Sequence, residues 1–338
     1  MAVCRREPAA GVLRLVLPLP FPGLESVNCY LIKDEDGDVL VDCGVFFPFG
    51  DRDHGWADIM EAFEVCDGAR VNDIKALLVT HPHVDHYGMA GRFVKEANCE
   101  LWMHSAAGRD IDLYINAGDV KRRMRTMLAD HGVSEDELDE LTAFEDPSAF
   151  ISSVVHPTRG LADGDVLELG GRRWEVVDTP GHSRSHVCLF DSRERMLISG
   201  DHLLPGITPH IDFVRGADSD PLGEFLGSLR RVEKLGPELV LPGHGRPFRD
   251  GSGRARAIAR HHERRLAQIA QVITREPRSA SYIVDEIFGR ELLNFQRRLA
   301  FGEALAHLAY LRRRGEVERV RSDGGGFLYV KKGRKEAR

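Results

Sequence analysis

Short apolar runs recur along the first two thirds of the chain, at 12–21, 27–32, 39–41, 74–79, 100–103, 166–169, 174–177, 196–198 and 239–241. Each is of strand length, and an apolar run of that length is a buried strand by pattern. Gly170-Gly171 between two of them predicts a hairpin turn. A helix is predicted around 88–97. The rhythm changes at 106–143, where Ile111, Tyr114 and Ile115, then Met124, Met127 and Leu128, repeat at three and four. Ser134 with Glu137 forms a capping box ahead of Leu138 and Leu141. The pattern predicts a helical insertion over about 106–144, either a lid over a site or a buttress for a sheet.

After Gly251-Ser252-Gly253 the pattern is helical at 254–273, 279–288 and 294–312, then strand-like at 317–320 and 326–330 around Ser322-Asp323-Gly324-Gly325. Three helices and a hairpin predict a winged-helix-like domain at 253–331. It follows a larger α/β domain at 1–252 and precedes a disordered tail at 332–338.

The candidate chemistry sits at strand ends. After the run 74–79 the chain reads Thr80-His81-Pro82-His83-Val84-Asp85-His86, four metal-binding side chains within six positions. A loop tolerates so many convergent imidazoles poorly unless something binds them. Imidazole and carboxylate donors together suit zinc, iron or manganese, and a bound divalent ion lowers the pKa of its water to about 7. Three further strands end in Thr179-Pro180-Gly181-His182-Ser183, Ser199-Gly200-Asp201-His202 and Pro242-Gly243-His244-Gly245. In each, a ligand type stands beside Gly or Pro, where backbone turns sharply. Upstream, Val39-Leu40-Val41-Asp42-Cys43-Gly44 places an Asp the same way.

In this order the motifs resemble the metallo-β-lactamase superfamily: T-H-x-H-x-D-H, a distal His, a bridging Asp and a last His. The resemblance spans roughly residues 12–250 and implies an αββα sandwich with two metal ions at one edge. It implies that His81, His83 and His182 hold one ion, that Asp85, His86 and His244 hold the other, and that Asp201 bridges them. Asp42 matches the upstream Asp of the family, and Cys43 stands where relatives often carry Thr. Asp85 is the candidate catalytic residue, orienting the attacking water or carrying its proton. His202 and His210 are candidates for substrate contact or ligand support. His54, His104, His131, His156, His261, His262 and His307 are expected in surface or capping roles.

Composition agrees with a globular enzyme: 338 residues, 42% hydrophobic and 29% charged. Charge is unevenly spread, because residues 253–338 carry 20 Lys/Arg against 10 Asp/Glu while the remainder carries 26 against 43. The basic part could steer nucleic acid or dock onto the acidic domain; few aromatics and no clear recognition helix favour docking. Six cysteines form no C-x-x-C pair, and Cys29, Cys43, Cys99 and Cys188 lie in or beside strand-like runs, which predicts buried reduced thiols and a cytoplasmic location. Arg5 and Arg6 precede an apolar run, yet Arg14, Pro18 and Pro20 interrupt it, so a strand is expected there and not a signal peptide. No run approaches the ~18–20 apolar residues that span a bilayer. There is no G-x-S-x-G elbow and no P-loop.

The reading is a dinuclear metallohydrolase, with zinc first and iron or manganese as alternatives, acting on a small-molecule thioester, related acyl ester or lactone, as in the glyoxalase-II-like branch of the family. The alternative is a metal-dependent phosphodiesterase or ribonuclease acting on nucleic acid. A binding protein with a vestigial metal site is the third reading, and a complete ligand set speaks against it.

Overall fold

Alternate residues of the central strands face two different cores. The computed structural model describes residues 3–49, 52–66, 69–143, 146–213 and 219–332, which divide into two compact units: 1–117, 146–209 and 228–256 in the first, 118–145, 210–227 and 257–338 in the second. The first unit opens with four antiparallel strands, β1 (Val3–Ala9), β2 (Val12–Phe21), β3 (Leu24–Ile32) and β4 (Asp38–Val41). A small hairpin, β5 (Pro48–Phe49) and β6 (Arg52–Asp53), leads into α1 (His54–Glu64), whose first turn donates Trp56 N–H to the Asp53 carboxylate. Then come β7 (Ile74–Leu78), α2 (Val84–Tyr87), α3 (Ala90–Ala97), β8 (Glu100–His104), α4 (Ala107–Ile115), α5 (Ala117–Asp130), α6 (Glu135–Thr142) and β9 (Arg159–Leu161). β7, β8 and β9 extend the sheet in parallel from β4, giving the order β1-β2-β3-β4-β7-β8-β9.

A second sheet holds β10 (Val166–Leu169), β11 (Arg172–Asp178), β12 (Val187–Asp191), β13 (Met196–Gly200), β14 (Leu239–Pro242) and β15 (Phe248–Arg249). Only β13 and β14 pair in parallel, so they need a crossover, and α7 (Pro221–Leu235) lies in that connection. Gly170 and Gly171 join β10 to β11 with φ of 59° and 67°, the left-handed pair a tight hairpin turn requires.

Tyr30, Val39, Val41, Ala76 and Leu78 of the first sheet meet Trp174, Val176, Leu189, Ile198 and Leu241 of the second in the sandwich interior. Their neighbours Leu31, Leu40 and Leu77 face outward onto Phe63 of α1, Phe93 of α3 and Ile111 of α4. Burial on both faces explains the unbroken apolar runs. Three helices, α1, α2 and α7, lie outside the helices anticipated from the pattern.

Helix α8 (Gly251–Val272) starts in the first unit and runs unbroken across residue 252; the second unit continues with α9 (Ala280–Phe288), α10 (Asn294–Arg313) and the antiparallel hairpin β16 (Val317–Arg321) and β17 (Phe327–Lys331). These match the helices and hairpin expected there. The predicted insertion, however, is divided. Ala107 and Ile111 of α4 belong to the outer core of the first sheet, a buttress, whereas α5 and α6 belong to the second unit. Arg297 of α10 reaches Glu137 of α6 at 2.8 Å, and Tyr329 Oη of β17 contacts His131 Nδ1 at 2.7 Å. Contacts 160 and 198 residues apart leave no local signal. Of the expected tail, Lys332 donates its N–H to Glu316 at 3.0 Å, and 333–338 lie outside the described residues. Cys29, Cys43, Cys99 and Cys188 are free and buried as expected, while Cys66 is disulfide-bonded. Among the described residues no helix is long and apolar enough to cross a membrane.

His131, His262 and His307 are not surface residues: all three are buried in the second unit. His307 Nδ1–H donates to Glu303 O, so its Nε2 accepts from His262 Nδ1–H at 3.2 Å. Burial holds these rings neutral, pushing His131 and His307 down to about 4 and His262 to about 3. The unfolded chain therefore binds more protons than the native unit between the ordinary histidine value of about 6.5 and about 4. Stability is full above that window and falls as pH is lowered through it, by on the order of 3 kcal/mol for His131 alone. Amide exchange in α9 and α10 should accelerate between pH 7 and pH 5, and less so in His131→Phe; exchange indifferent to pH, once its intrinsic rate is corrected, contradicts the reading.

Candidate metal centre

Every predicted ligand follows the carboxyl end of a strand. Asp42 follows β4, His81 to His86 follow β7, His182 follows β11, Asp201 follows β13 and His244 follows β14. Parallel pairing of β4 with β7 and of β13 with β14 puts these ends on one side of the sandwich. The side chains converge. His81, His83 and His182 form one group of three and Asp85, His86 and His244 another, each with its ligand atoms within 4.8 Å of one another. Asp201 stands between them: Oδ1 is 3.3 Å from His86 Nε2, and Oδ2 is 3.5 Å from His182 Nε2 and 3.4 Å from His244 Nε2. All seven residues are buried or nearly so, with His83 and His182 the more open.

The surroundings decide which imidazole nitrogen faces inward. A carboxylate only accepts, so His86 Nδ1–H donates to Asp42 Oδ2 at 2.7 Å and Nε2 keeps its lone pair toward the cluster. Thr80 gives its one hydroxyl proton to Asp42, so Oγ1 accepts from His81 Nδ1–H at 3.0 Å and His81 Nε2 is bare. His244 Nδ1–H donates to Ser26 O at 2.7 Å, with the same result. His81 Nε2 and His83 Nδ1 then lie only 3.0 Å apart.

Electrostatics follow from crowding two carboxylates and five imidazoles. Burial pushes His81 down, and His83 to about 3, each reinforced by neighbouring imidazoles. His244 behaves oppositely: against burial, Asp201 and Asp85 lift it to about 10, and His86 is raised likewise by Asp201, Asp42 and Asp85. Burial works against Asp85 too, yet His86 and His244 hold it down to about 2. The cluster thus demands positive charge among its carboxylates, which protons or metal cations can meet. His86 Nε2, His244 Nε2 and Asp201 Oδ1 are buried without a hydrogen bond of good geometry. A Cβ on Gly243 would strike Asp201 Oδ1 and approach His86 Cε1 to 2.7 Å. Ring nitrogens and a carboxylate oxygen crowded into a space that small, without well-formed hydrogen bonds, fit a coordinated cation.

The sequence from 22 to 244 matches the model of the metallo-beta-lactamase superfamily. The chain belongs to that superfamily. Residues 266–332 match the C-terminal domain described as metallo-beta-lactamase-like. A probable metallo-hydrolase of Bacillus subtilis, YqjP, is 26% identical over 82% of this chain and 85% of its own. The human acyl-coenzyme A thioesterase MBLAC2 is 28% identical over 65% of this chain and 74% of its own. A crystal structure of a beta-lactamase domain protein from Burkholderia ambifaria superposes with a TM-score of 0.85 at 34% identity, covering 96% of this chain and 94% of that one.

Several supports of this superfamily site were not evident from its motifs. His186 accepts the Asp201 N–H on Nε2 at 3.1 Å while its Nδ1 meets Thr179 Oγ1 at 2.7 Å, fixing the loop that carries Asp201. Asn28 of β3 clamps the loop that carries His244, donating to Pro242 O at 2.7 Å and Gly245 O at 2.8 Å. Tyr114 of α4 donates its hydroxyl to Pro82 O in the first motif. His202 is fully buried behind His186, with ring centroids 6.2 Å apart, a supporting position. His210 belongs to the second unit, beside Gly302 of α10, where a Cβ would come within 3.3 Å of its Nε2.

Proposed function

We propose that this superfamily member is a dinuclear metal-dependent hydrolase of thioesters. The observation that carries the proposal is the pair of three-ligand groups with the Asp201 carboxylate in reach of both. His81, His83 and His182 would hold one divalent ion, Asp85, His86 and His244 the other, and Asp201 both. Bound there, such ions supply Lewis acidity and water ionised near neutral pH. Imidazole and carboxylate donors without thiolate favour zinc, with iron and manganese as alternatives.

The remaining work falls to the chain itself. Asp85 has Oδ2 at 3.2 Å from His244 Nε2 and is kept ionised, so it can orient the attacking water and accept its proton. Asp42, Thr80 and the Ser26 carbonyl hold His86, His81 and His244 in their required tautomers. A thioester suits this apparatus because its leaving thiol, with a pKa of about 8.5, departs without a strong acid. Similarity to a relative named as an acyl-coenzyme A thioesterase supports that substrate class. Related esters and lactones share the chemistry. Four buried free thiols favour a reducing compartment such as the cytoplasm, although the disulfide at Cys66 is unusual there.

The second reading, a phosphodiesterase acting on nucleic acid, is favoured by the basic excess of residues 253–338. One panel separates the two: metal content by elemental analysis, with hydrolysis of acyl-coenzyme A, a lactone and bis-p-nitrophenyl phosphate before and after chelation. Two bound ions per chain are expected, with thioester cleavage that chelation abolishes and zinc restores. Strong diester cleavage with inert thioesters moves the assignment to the second reading; thioester cleavage that survives exhaustive chelation removes both.

A further inference from the structure

The run Lys121-Arg122-Arg123 of α5 has no part in the metal centre. Within the second unit it borders a cleft of about 350 Å³ between α5 and the C-terminal hairpin. Met127, Phe213 and Phe327 give the cleft apolar walls, and among the described residues Arg122, Arg123 and Arg319 line it together with the carboxylate of Asp130. The Arg319 guanidinium lies 4.0 Å from the Phe327 ring centroid, and Arg321 approaches the same ring at 4.8 Å. Stacking of this kind fixes the guanidinium plane while its N–H edge stays available to an anion. Arg122 is ion-paired with Asp119 of its own helix. A second hollow of about 430 Å³ shares Arg319 and adds Arg312, Arg313 and Lys332. His131 shows the sign of the local field: beyond burial, Arg319 and Arg312 push its proton off.

Apolar walls with a guanidinium rim suit a ligand that is flat and apolar at one end and multiply anionic at the other. An inorganic anion has no use for the Phe and Met surface. A polynucleotide would need an open track of stacking platforms, not a hollow at the lower end of the volumes that hold small ligands. We propose that this cleft binds an adenine nucleotide that carries more than one phosphate charge. The base lies against Phe213, Met127 and Phe327, and the phosphates face Arg123 and Arg319.

Calorimetric titration of the full chain with adenosine 3′,5′-bisphosphate should show saturable binding that Arg319→Glu and Arg123→Glu each weaken about tenfold or more, as expected for loss of a charge-assisted contact. Arg319→Gln, with an unchanged circular dichroism spectrum, should weaken it too, whereas Arg173→Glu, at an exposed position of β11, should not. Absence of saturable bisphosphate binding overturns the site, as does equal affinity in the Arg319 variants or binding of RNA oligonucleotides alone.

Discussion

Asp201→Ala is expected to lose most of its bound metal and about three orders of magnitude in kcat/KM while keeping its fold. Asp201 offers its carboxylate to both ligand groups, reaching His86 through Oδ1 and His182 and His244 through Oδ2. Without it, the two groups share no anion, and cations held near each other lose the charge that offsets their repulsion. Several kcal/mol of transition-state stabilisation depend on such a centre, and each 1.36 kcal/mol is about tenfold in rate. The fold should survive, because Asp201 follows β13 and adds nothing to either apolar core. Asp201→Asn keeps the shape but removes the charge, so it should fall between alanine and the unaltered chain in metal content. Elemental analysis and kcat/KM, with circular dichroism as the folding control, decide the matter. A fully metallated Asp201→Ala protein would falsify the bridging role.

The seven clustered candidate ligands were legible because the fold puts them where a sequence pattern can find them. Each ligand segment follows an apolar strand and includes Gly or Pro, so strand ends could be read without knowing how strands pair. The partners that tune those ligands left far less trace. Ser26 O, which fixes the tautomer of His244, lies 218 residues away from it, and Asn28 clamps Pro242 across 214. A backbone carbonyl has no sequence signature, and a buried Asn in a strand reads like any edge residue. His186 lies only four residues after His182, but its bond to the Asp201 amide depends on the turn between β11 and β12. The insertion was equally opaque. Its helical period identified α4, α5 and α6, yet assignment of α5 and α6 to the second unit rests on Arg297 and Tyr329, distant residues with no periodic mark. Buried His131, His262 and His307 were misplaced for the same reason, since isolated histidines on polar helices look solvated until their partners are known.

Asp42→Asn should weaken metal binding about 10–100-fold with little change in stability, the range typical for loss of a partner that orients a ligand. Asp42 occupies left-handed backbone, φ 61°, which Asn tolerates nearly as well, so strain is not the cause. The cause is a count of donors. Thr80 N–H donates to Asp42 Oδ1 at 2.8 Å, the Thr80 hydroxyl donates to the same carboxylate, and His86 Nδ1–H donates to Oδ2 at 2.7 Å. An amide offers one accepting atom where the carboxylate offered two, and its NH₂ must then face a donor. If the NH₂ faces His86, the imidazole relieves the clash by moving its proton to Nε2, the nitrogen needed for coordination. Asp42→Ala should be worse, because it adds strain at positive φ and leaves buried donors unpaired. Competition against a chelator of known affinity measures the effect, and the thermal midpoint separates it from unfolding. An Asp42→Asn protein with unaltered affinity would show that the His86 tautomer is set by something other than this carboxylate.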